Sequence, residues 1–277
     1  MLWKNDEIDP DALRQMLDSS ITALTGVAEP VAAWKTLFKP NERVAIKVNS
    51  ILSGSTHLAL AVAVAHRLED AGVAPEQIVL YDRSTDELEK AGFPTNSSGK
   101  GLGCYGSDLD FVDGGKVEGT QVRVSKVLAG CDALINLPVL KAFSLGGMSF
   151  ALKNHYGSID NPSRFHGGSF AGGVTGVNLL DSIRSKERLI IADVLSRETR
   201  EDIYNYVLLG EENCLIAGYD PAAVDALGFT MVKQWLAKLN RSPGSITTPV
   251  NEWLALANQR GLGAIEDEKI DLVEYAY

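Results

Sequence analysis

The sequence predicts an α/β fold: a mainly parallel sheet with helices on both faces and a loop-rich insertion. Five short apolar runs, each long enough for a strand buried on both faces, predict the sheet. They cover residues 44–49, 77–82, 133–137, 189–193 and 214–218. Helical stretches alternate with these runs, which is typical of parallel sheets covered on both sides. We expect residues 1–277 to form a single domain with a large core.

Capping residues and apolar periodicity predict the helices. Asp9 followed by Pro10 marks the start of the first helix, and Asp220 before Pro221 indicates another N-cap. Further helices are predicted over residues 27–38, 57–72, 177–185, 221–239 and 250–260.

Two glycine-rich segments fit neither pattern. Residues 93–119 are expected to be a loop-rich surface insertion, whereas residues 142–176 carry Lys153, Asn154, His155, Arg164 and His166 and are expected to be a functional loop.

Composition and charge narrow the functional classes. There are 26 Lys and Arg against 36 Asp and Glu, a net charge of −10, and no basic run, which argues against a nucleic-acid partner. No stretch is apolar enough for a membrane span. The start lacks the basic and apolar regions of a signal peptide. Three distant cysteines without a Cys-x-x-Cys pair argue against a complete disulfide set, an iron–sulfur cluster and a structural zinc site.

Polar residues lie at or just beyond the carboxyl end of each predicted strand, where open α/β sheets bind ligands. They predict one polar crevice and are Lys47, Asn49, Asp82, Asn136, Lys141, Asp193 and Asp220. Lys47 lies inside an apolar strand, so its ammonium group needs a ligand or a carboxylate partner. The alternative to a ligand is a structural ion pair with Asp82 or Asp193.

The predicted ligand is a small anion. Lys47, Lys141 and Lys153 lie beside apolar segments of an acidic protein, which favours a carboxylate or phosphate. Small residues around Ser55 and Thr56 precede a helix and form a candidate anion site. That loop matches neither the Walker nor the dinucleotide pattern, and no Gly-x-Ser-x-Gly elbow of a serine hydrolase is present.

We therefore assign provisional roles. The catalytic candidates are Lys153, Lys141 and His155, because a desolvated lysine can act as nucleophile or proton carrier. The substrate-binding candidates are Lys47, Asn49, Asn154, Ser55, Thr56, Asp193 and Asp225, with the two aspartates expected to pair with the lysines. His155 and His166 are the metal candidates, since His57 and His66 would face opposite sides of one helix.

Several segments resemble a bacterial and archaeal family known only as domain-of-unknown-function family 362. The matching segments are residues 44–49, 55–57, 136–141, 151–157, 160–166 and 217–225, and the resemblance spans residues 9–265. It implies similarity to members exported by the twin-arginine route, so the protein is expected to be cytoplasmic as given, or exported if such a signal has been removed. Some members carry ferredoxin-like cysteine motifs, which this chain lacks. A distant similarity to the fold of nickel-pincer lactate racemases is an analogy only.

Two departures from the family pattern imply altered or absent catalysis. Relatives commonly have a histidine two positions after the lysine of the Leu-Pro-x-Leu-Lys segment, and Phe143 stands there. The stretch after Asp193 lacks the expected Gly-Pro pair.

Three functional hypotheses remain open. The first is an enzyme, or a binder derived from one, that acts on a small anion in the lysine-lined crevice. The second is a non-catalytic binding protein whose polar groups form a structural ion-pair network, and the third is an enzyme that depends on nickel, iron or zinc. The sequence identifies no cofactor and no oligomeric state.

Overall fold

The computed structural model describes residues 2–51, 54–143, 146–168, 170–196, 200–202, 207–242 and 244–275. The strands are β1 (Trp3–Lys4), β2 (Glu7–Ile8), β3 (Val44–Lys47), β4 (Ile78–Asp82), β5 (Gly103–Gly106), β6 (Phe111–Val117), β7 (Thr120–Ser125), β8 (Ala133–Asn136), β9 (Lys141–Phe143), β10 (Gly147–Ser149), β11 (Glu187–Val194), β12 (Arg200–Asp202), β13 (Val207–Leu209) and β14 (Cys214–Gly218).

The helices are α1 (Pro10–Thr25), α2 (Pro30–Leu37), α3 (Leu58–Asp70), α4 (Thr85–Lys90), α5 (Lys126–Gly130), α6 (Ala151–Asn154), α7 (Phe170–Asn178), α8 (Asp181–Arg184), α9 (Pro221–Lys238) and α10 (Gly244–Gln259). Short 3-10 turns lie at Pro75–Gln77, His155–Ser158, Pro162–Phe165 and Asp267–Lys269. No helix in the described ranges is long and apolar enough to cross a membrane.

Six strands form the main sheet, in the order β14-β11-β8-β3-β4-β5. Neighbouring strands are parallel, except that β14 runs antiparallel to β11 at one edge. The predicted α/β class with a mainly parallel sheet is therefore confirmed, and all five predicted strands belong to this sheet. Because β3, β4, β8 and β11 are parallel, their carboxyl ends lie at the same end of the sheet, and the polar residues that follow these strands lie there too.

Successive residues of the inner strands enter two different apolar cores. Val44 and Ile46 of β3 belong to the core that contains side chains of α1, α2 and α3, whereas Ala45 belongs to the core formed with α6, α7, α9 and α10. This alternation follows from the two-residue period of a strand. Because both faces are covered by helices, the strand sequences are apolar almost throughout, as parallel strands usually are.

Capping side chains define the helix starts as predicted. The Asp9 side chain accepts hydrogen bonds from the backbone N–H groups of Asp11 and Ala12 at the start of α1. Asp220 accepts one from Ala223 at the start of α9, over 2.9 Å. Each cap satisfies backbone donors that have no partner within the helix.

Residues 93–119 differ from the expected loop-rich insertion. They contain β5, which adds the outermost strand beside β4, and β6, which forms a hairpin with β7. The short, glycine-flanked β5 sequence, Gly-Cys-Tyr-Gly, lacks the β-branched residues that signal a strand. The segment is a strand because its backbone hydrogen-bonds to β4, and its amino-acid composition alone does not predict this.

Residues 142–176 also contain more regular structure than a loop. The end of β9, all of β10, α6 and most of α7 lie there. Strands β9 and β10 belong to a second, antiparallel sheet in the order β10-β9-β13-β12. Each element is too short to show a clear period in the sequence.

Candidate functional site

A buried ion pair lies at the carboxyl ends of β3 and β4. The Lys47 ammonium is 2.7 Å from an Asp82 carboxylate oxygen, and both side chains are almost fully buried. Asp82 also accepts hydrogen bonds from the backbone N–H and the hydroxyl of Ser50. Burial alone would raise the pKa of the Asp82 carboxyl, but the Lys47 charge and these hydrogen bonds outweigh it and lower the pKa.

Three asparagines connect this ion pair to Lys141. Asn154 accepts a hydrogen bond from Asn49 over 3.0 Å and donates one to Asn136 over 2.8 Å. The Lys141 ammonium donates to the Asn49 side-chain oxygen over 2.8 Å and to the Ile51 carbonyl over 2.7 Å. The amide side chains are therefore held in fixed orientations by neighbours on β3, β8, β9 and α6.

Lys141 is a buried ammonium group whose described hydrogen-bond partners are uncharged. Burial lowers its pKa to about 7, and the nearby positive charges of Lys153 and Lys47 act in the same direction. A lysine with a pKa near neutrality is able to exchange a proton at physiological pH.

Lys153 lies on α6 and is partly buried. Among the residues that the structure describes, it has neither an ion pair nor a hydrogen bond. Its ammonium lies over two aromatic rings, 5.1 Å from the centroid of Phe143 and 5.7 Å from that of Tyr156. Burial lowers its pKa to about 8. Phe143, at the position where relatives often have histidine, therefore contacts a candidate catalytic lysine through its ring.

His166 belongs to the same aromatic cluster. Its ring stacks on Phe170 with centroids 6.1 Å apart and meets the Tyr156 ring edge-on at 5.3 Å. Burial lowers the pKa of His166, and the positive charge of Lys153 lowers it further. At neutral pH this imidazole is uncharged and presents an aromatic face beside the lysine.

His155 does not fit the predicted catalytic or metal-binding role. It is completely buried, and its Nε2 lies 2.6 Å from Glu187 while its Nδ1 lies 3.2 Å from the Ser158 hydroxyl. Both ring nitrogens are thus engaged by protein groups. No set of three or more His, Cys, Asp or Glu side chains within the described ranges is arranged to hold a metal ion.

The prediction that Asp225 pairs with a lysine is wrong. Its two carboxylate oxygens accept hydrogen bonds from the backbone N–H groups of Ala151 and Leu152, over 2.6 and 3.1 Å. The side chain is fully buried, and burial raises its pKa well above the usual range. Asp225 therefore positions the start of α6, the helix that carries Lys153 and Asn154.

Asp193 also contacts a different partner from the one predicted. Both of its oxygens lie 3.0 Å from Nδ1 of His57, and one accepts a hydrogen bond from the His57 backbone N–H over 2.7 Å. Asp193 is on β11, which is separated from Lys47 on β3 by β8. This contact was not predicted, because His57 was placed on the helix expected over residues 57–72, whereas it is the N-cap residue that precedes α3.

The two residues of the predicted anion loop, Ser55 and Thr56, lie in different surroundings. The buried Thr56 hydroxyl accepts a hydrogen bond from the Asn49 backbone and donates one to the Leu137 carbonyl, so it holds the loop and does not fit direct contact with a ligand. Ser55 lies instead on a cavity of about 180 Å³ that also includes His57 and Asp193.

Comparison with known proteins identifies the family. A family model for a domain of unknown function, DUF362, matches residues 37–230. The chain belongs to this family. The resemblance found in the sequence is thereby confirmed, while similarity to the twin-arginine-exported members stays a prediction. A search of curated proteins finds no match to the chain.

Two solved structures are similar to this DUF362 protein at low identity. The lactate racemase apoprotein from Thermoanaerobacterium thermosaccharolyticum is 10% identical, with a TM-score of 0.42 over 75% of this chain and 52% of that one. A protein from Thermotoga maritima is 12% identical, with a TM-score of 0.44 over 93% of this chain and 60% of that one. The chain thus spans less than two thirds of either protein, and similarity at this level carries no conclusion about chemistry.

Proposed function

We propose that this DUF362 protein binds a small anion, a carboxylate or a phosphate, at the Lys153 ammonium. The observation that carries the proposal is that Lys153 is partly buried and, in the described part of the chain, has no carboxylate or hydrogen-bond partner. A desolvated cation without a partner is unfavourable, and an anionic ligand would supply the missing charge.

The charges around Lys153 support an anion rather than a neutral ligand. Lys47 is neutralised by Asp82, but the partners of Lys141 are an amide oxygen and a carbonyl. The positive charge of Lys153 helps to lower the pKa of Lys141, since two positive charges in a partly buried region repel. A bound anion would relieve that repulsion as well as satisfy Lys153.

The aromatic rings favour a ligand with a planar or apolar part. The Lys153 ammonium lies over the rings of Phe143 and Tyr156, and the His166 ring packs edge-on against Tyr156. A carboxylate with a short hydrocarbon body meets both requirements, because its charged end pairs with Lys153 and its body contacts the rings.

Catalysis at this site is the enzyme form of the proposal. The pKa of Lys153, about 8, and that of Lys141, about 7, lie where a group both gains and loses a proton readily at neutral pH. In this form Lys153 contacts the ligand and Lys141 carries the second positive charge. Asn49 accepts a hydrogen bond from Lys141 and is itself held by Asn154.

The second candidate is a non-catalytic binding protein. It is favoured by the closed network of Lys47, Asp82, Asn49, Asn136 and Asn154, whose polar atoms largely bind one another. In this form only Lys153 contacts a ligand. The third hypothesis, a metal-dependent enzyme, has no supporting set of donor groups in the described ranges.

Calorimetric titration with acetate, sulfate and inorganic phosphate tests the proposal. Lys153→Met removes the charge at similar size and should weaken anion binding roughly ten- to hundredfold, the effect of losing one charge-assisted hydrogen bond. Lys233→Met is the matched control, because Lys233 also lies over a phenylalanine ring, at 4.9 Å from Phe229, but is exposed.

The thermal stability of the same variants separates a binding role from a structural one. Because Lys153 has no described partner, Lys153→Met should leave the melting temperature unchanged or raise it. Equal anion affinity in Lys153→Met and in Lys233→Met would contradict the proposal. The enzyme form should catalyse the exchange of a carbon-bound proton of the ligand for deuterium in deuterated buffer, whereas the binding form should not.

A further inference from the structure

The lysines near the strand ends differ in the groups that hold their amines. The Lys47 ammonium is neutralised by Asp82 at 2.7 Å, and Lys47 is 1% exposed. The Lys141 ammonium donates to the Asn49 side chain and to the Ile51 carbonyl, and Lys141 is 2% exposed. Both amines are therefore held by protein groups and are almost fully enclosed, so a ligand does not reach their nitrogen atoms.

Lys153 differs in both respects. It is only partly buried, and in the described part of the chain it donates no hydrogen bond and forms no ion pair. Its amine lies over the rings of Phe143 and Tyr156, at 5.1 and 5.7 Å from their centroids. A ring face attracts an ammonium group far less strongly than a carboxylate at hydrogen-bond distance does. The Lys153 amine is therefore free to lose its proton and to turn toward a ligand.

These surroundings favour the neutral form of the amine. Burial lowers the pKa of Lys153 from the ordinary 10.5 to about 8, and no described carboxylate acts against it. At pH 7 the neutral fraction is then on the order of a hundredfold larger than that of an ordinary exposed lysine. The neutral amine is the form that attacks a carbonyl carbon, and desolvation is one way in which proteins activate a lysine nucleophile.

We propose that Lys153 forms a reversible covalent iminium bond with a small oxo acid, a molecule with a ketone or aldehyde group beside its carboxylate. The inference rests on the proposed function, because the anion site brings the oxo acid to Lys153. The iminium nitrogen remains positive, so it still pairs with the carboxylate after the bond has formed. The Phe143 and Tyr156 rings contact the hydrocarbon part of the ligand.

The reaction needs only the amine, the carbonyl group and water. The lone pair of Lys153 Nζ attacks the carbonyl carbon, a C–N bond forms, and the π electrons of the carbonyl move to its oxygen. One proton passes from the nitrogen to that oxygen, and a second comes from solvent, which reaches the partly exposed side chain. The oxygen leaves as water and a C=N bond with a positive nitrogen remains. Hydrolysis regenerates the amine and the oxo acid, and nothing is oxidised or reduced.

Reductive trapping with pyruvate tests the proposal in the wild-type protein. Cyanoborohydride reduces an iminium to a stable secondary amine, and peptide mass mapping locates the adduct. At pH 7 Lys153 should be labelled at least about tenfold faster than Lys233, because its neutral fraction is larger. Lys233 is the matched internal control, since it lies 4.9 Å from the centroid of the Phe229 ring but is exposed. Labelling of Lys153 no faster than that of Lys233 would overturn the proposal.

Two further probes test the part played by the carboxylate. Acetone has a methyl group where pyruvate has its carboxylate, so the preference for Lys153 over Lys233 should be smaller with acetone. An equal preference with the two ketones would overturn the assignment to oxo acids. Propionate has no carbonyl group beside its carboxylate, and at saturation it should slow the labelling of Lys153 by pyruvate but not that of Lys233.

Anion binding and covalent bonding are separated by Lys153→Arg. The guanidinium keeps the positive charge but stays protonated and forms no iminium. This variant should still bind acetate in calorimetry and should give no adduct at position 153. Acetate binding to the wild type without a Lys153 adduct would overturn this inference alone, whereas absence of acetate binding would overturn the proposed function as well.

Discussion

The buried ion pair between Lys47 and Asp82 gives a prediction about stability. Asp82→Asn keeps an oxygen that accepts from Ser50 but removes the negative charge beside the Lys47 ammonium. Lys47 and Asp82 are only 1% and 3% exposed, so water cannot replace the lost partner. Leaving one member of a buried ion pair uncompensated costs about 3–5 kcal/mol of unfolding free energy.

The two single variants should differ, because the two partners are supported differently. In Lys47→Met the Asp82 carboxylate retains hydrogen bonds from the Ser50 N–H, the Ser50 hydroxyl and the Arg83 N–H. Lys47→Met should therefore lower the free energy of unfolding by less than Asp82→Asn does. The double variant Lys47→Met with Asp82→Asn removes both charges and should be more stable than Asp82→Asn alone.

Urea unfolding followed by circular dichroism measures these differences. A loss of about 3–5 kcal/mol corresponds to a fall in melting temperature of roughly 6–20 °C for a chain of this size. Asp86→Asn is the control, since Asp86 pairs with Lys90 at 2.6 Å but both side chains are exposed. That variant should change stability by less than about 0.5 kcal/mol.

Acid adds an independent check on the same pair. The folded-state pKa of Asp82 is lowered, so its contribution to stability is present above the unfolded-state pKa and is lost as pH falls through the folded value. The difference between wild type and Asp82→Asn should therefore shrink below about pH 4. A loss under 1 kcal/mol at pH 7, or a difference that does not depend on pH, would refute the reasoning.

Three further predictions concern other groups. A side chain at Gly157 would bring Cβ into steric conflict with the Asp82 carboxylate, so Gly157→Ala should lower stability by about 1–3 kcal/mol in urea unfolding, whereas Gly130→Ala, with open space around it, should not. Sulfate affinity, measured by calorimetry, should be about tenfold weaker at pH 9 than at pH 7, because the pKa of Lys153 is about 8; a flat profile would contradict the anion site. Thiol titration at pH 8 should be slow in the native state and fast in urea, since burial raises the pKa of all three cysteine thiols to about 11 or 12; rapid native labelling would contradict this.

The sequence predicted five of the six strands of the main sheet, because these five are apolar runs, whereas the short strand β5 is not. It also predicted that Lys47 needs a partner, since a buried ammonium in a strand is unfavourable alone. It left Asp82 and Asp193 as alternatives, because the choice depends on strand order. Strand β4 is adjacent to β3 and β11 is not, and nothing in the local sequence encodes that adjacency.

The candidate site was predicted in part for a similar reason. The clustering of polar groups at the strand ends follows from a general property of parallel sheets. The individual contacts do not, since His57 and Asp193 are separated by 136 positions in the chain. Asp225 was assigned a charge partner because its backbone donors, at Ala151 and Leu152, become neighbours only when α6 and α9 pack together.

The position of Lys47 on its strand has a consequence for folding errors. Because side chains alternate along a strand, sliding β3 by one residue against β4 would turn Lys47 toward the opposite apolar core and away from Asp82. Its neighbour Ile46 would then face the carboxylate. The misaligned sheet would contain two unpaired buried charges, whereas a pair of apolar residues at these positions would tolerate the same slip. The ion pair therefore stabilises the native register of β3 and β4 relative to the register shifted by one residue.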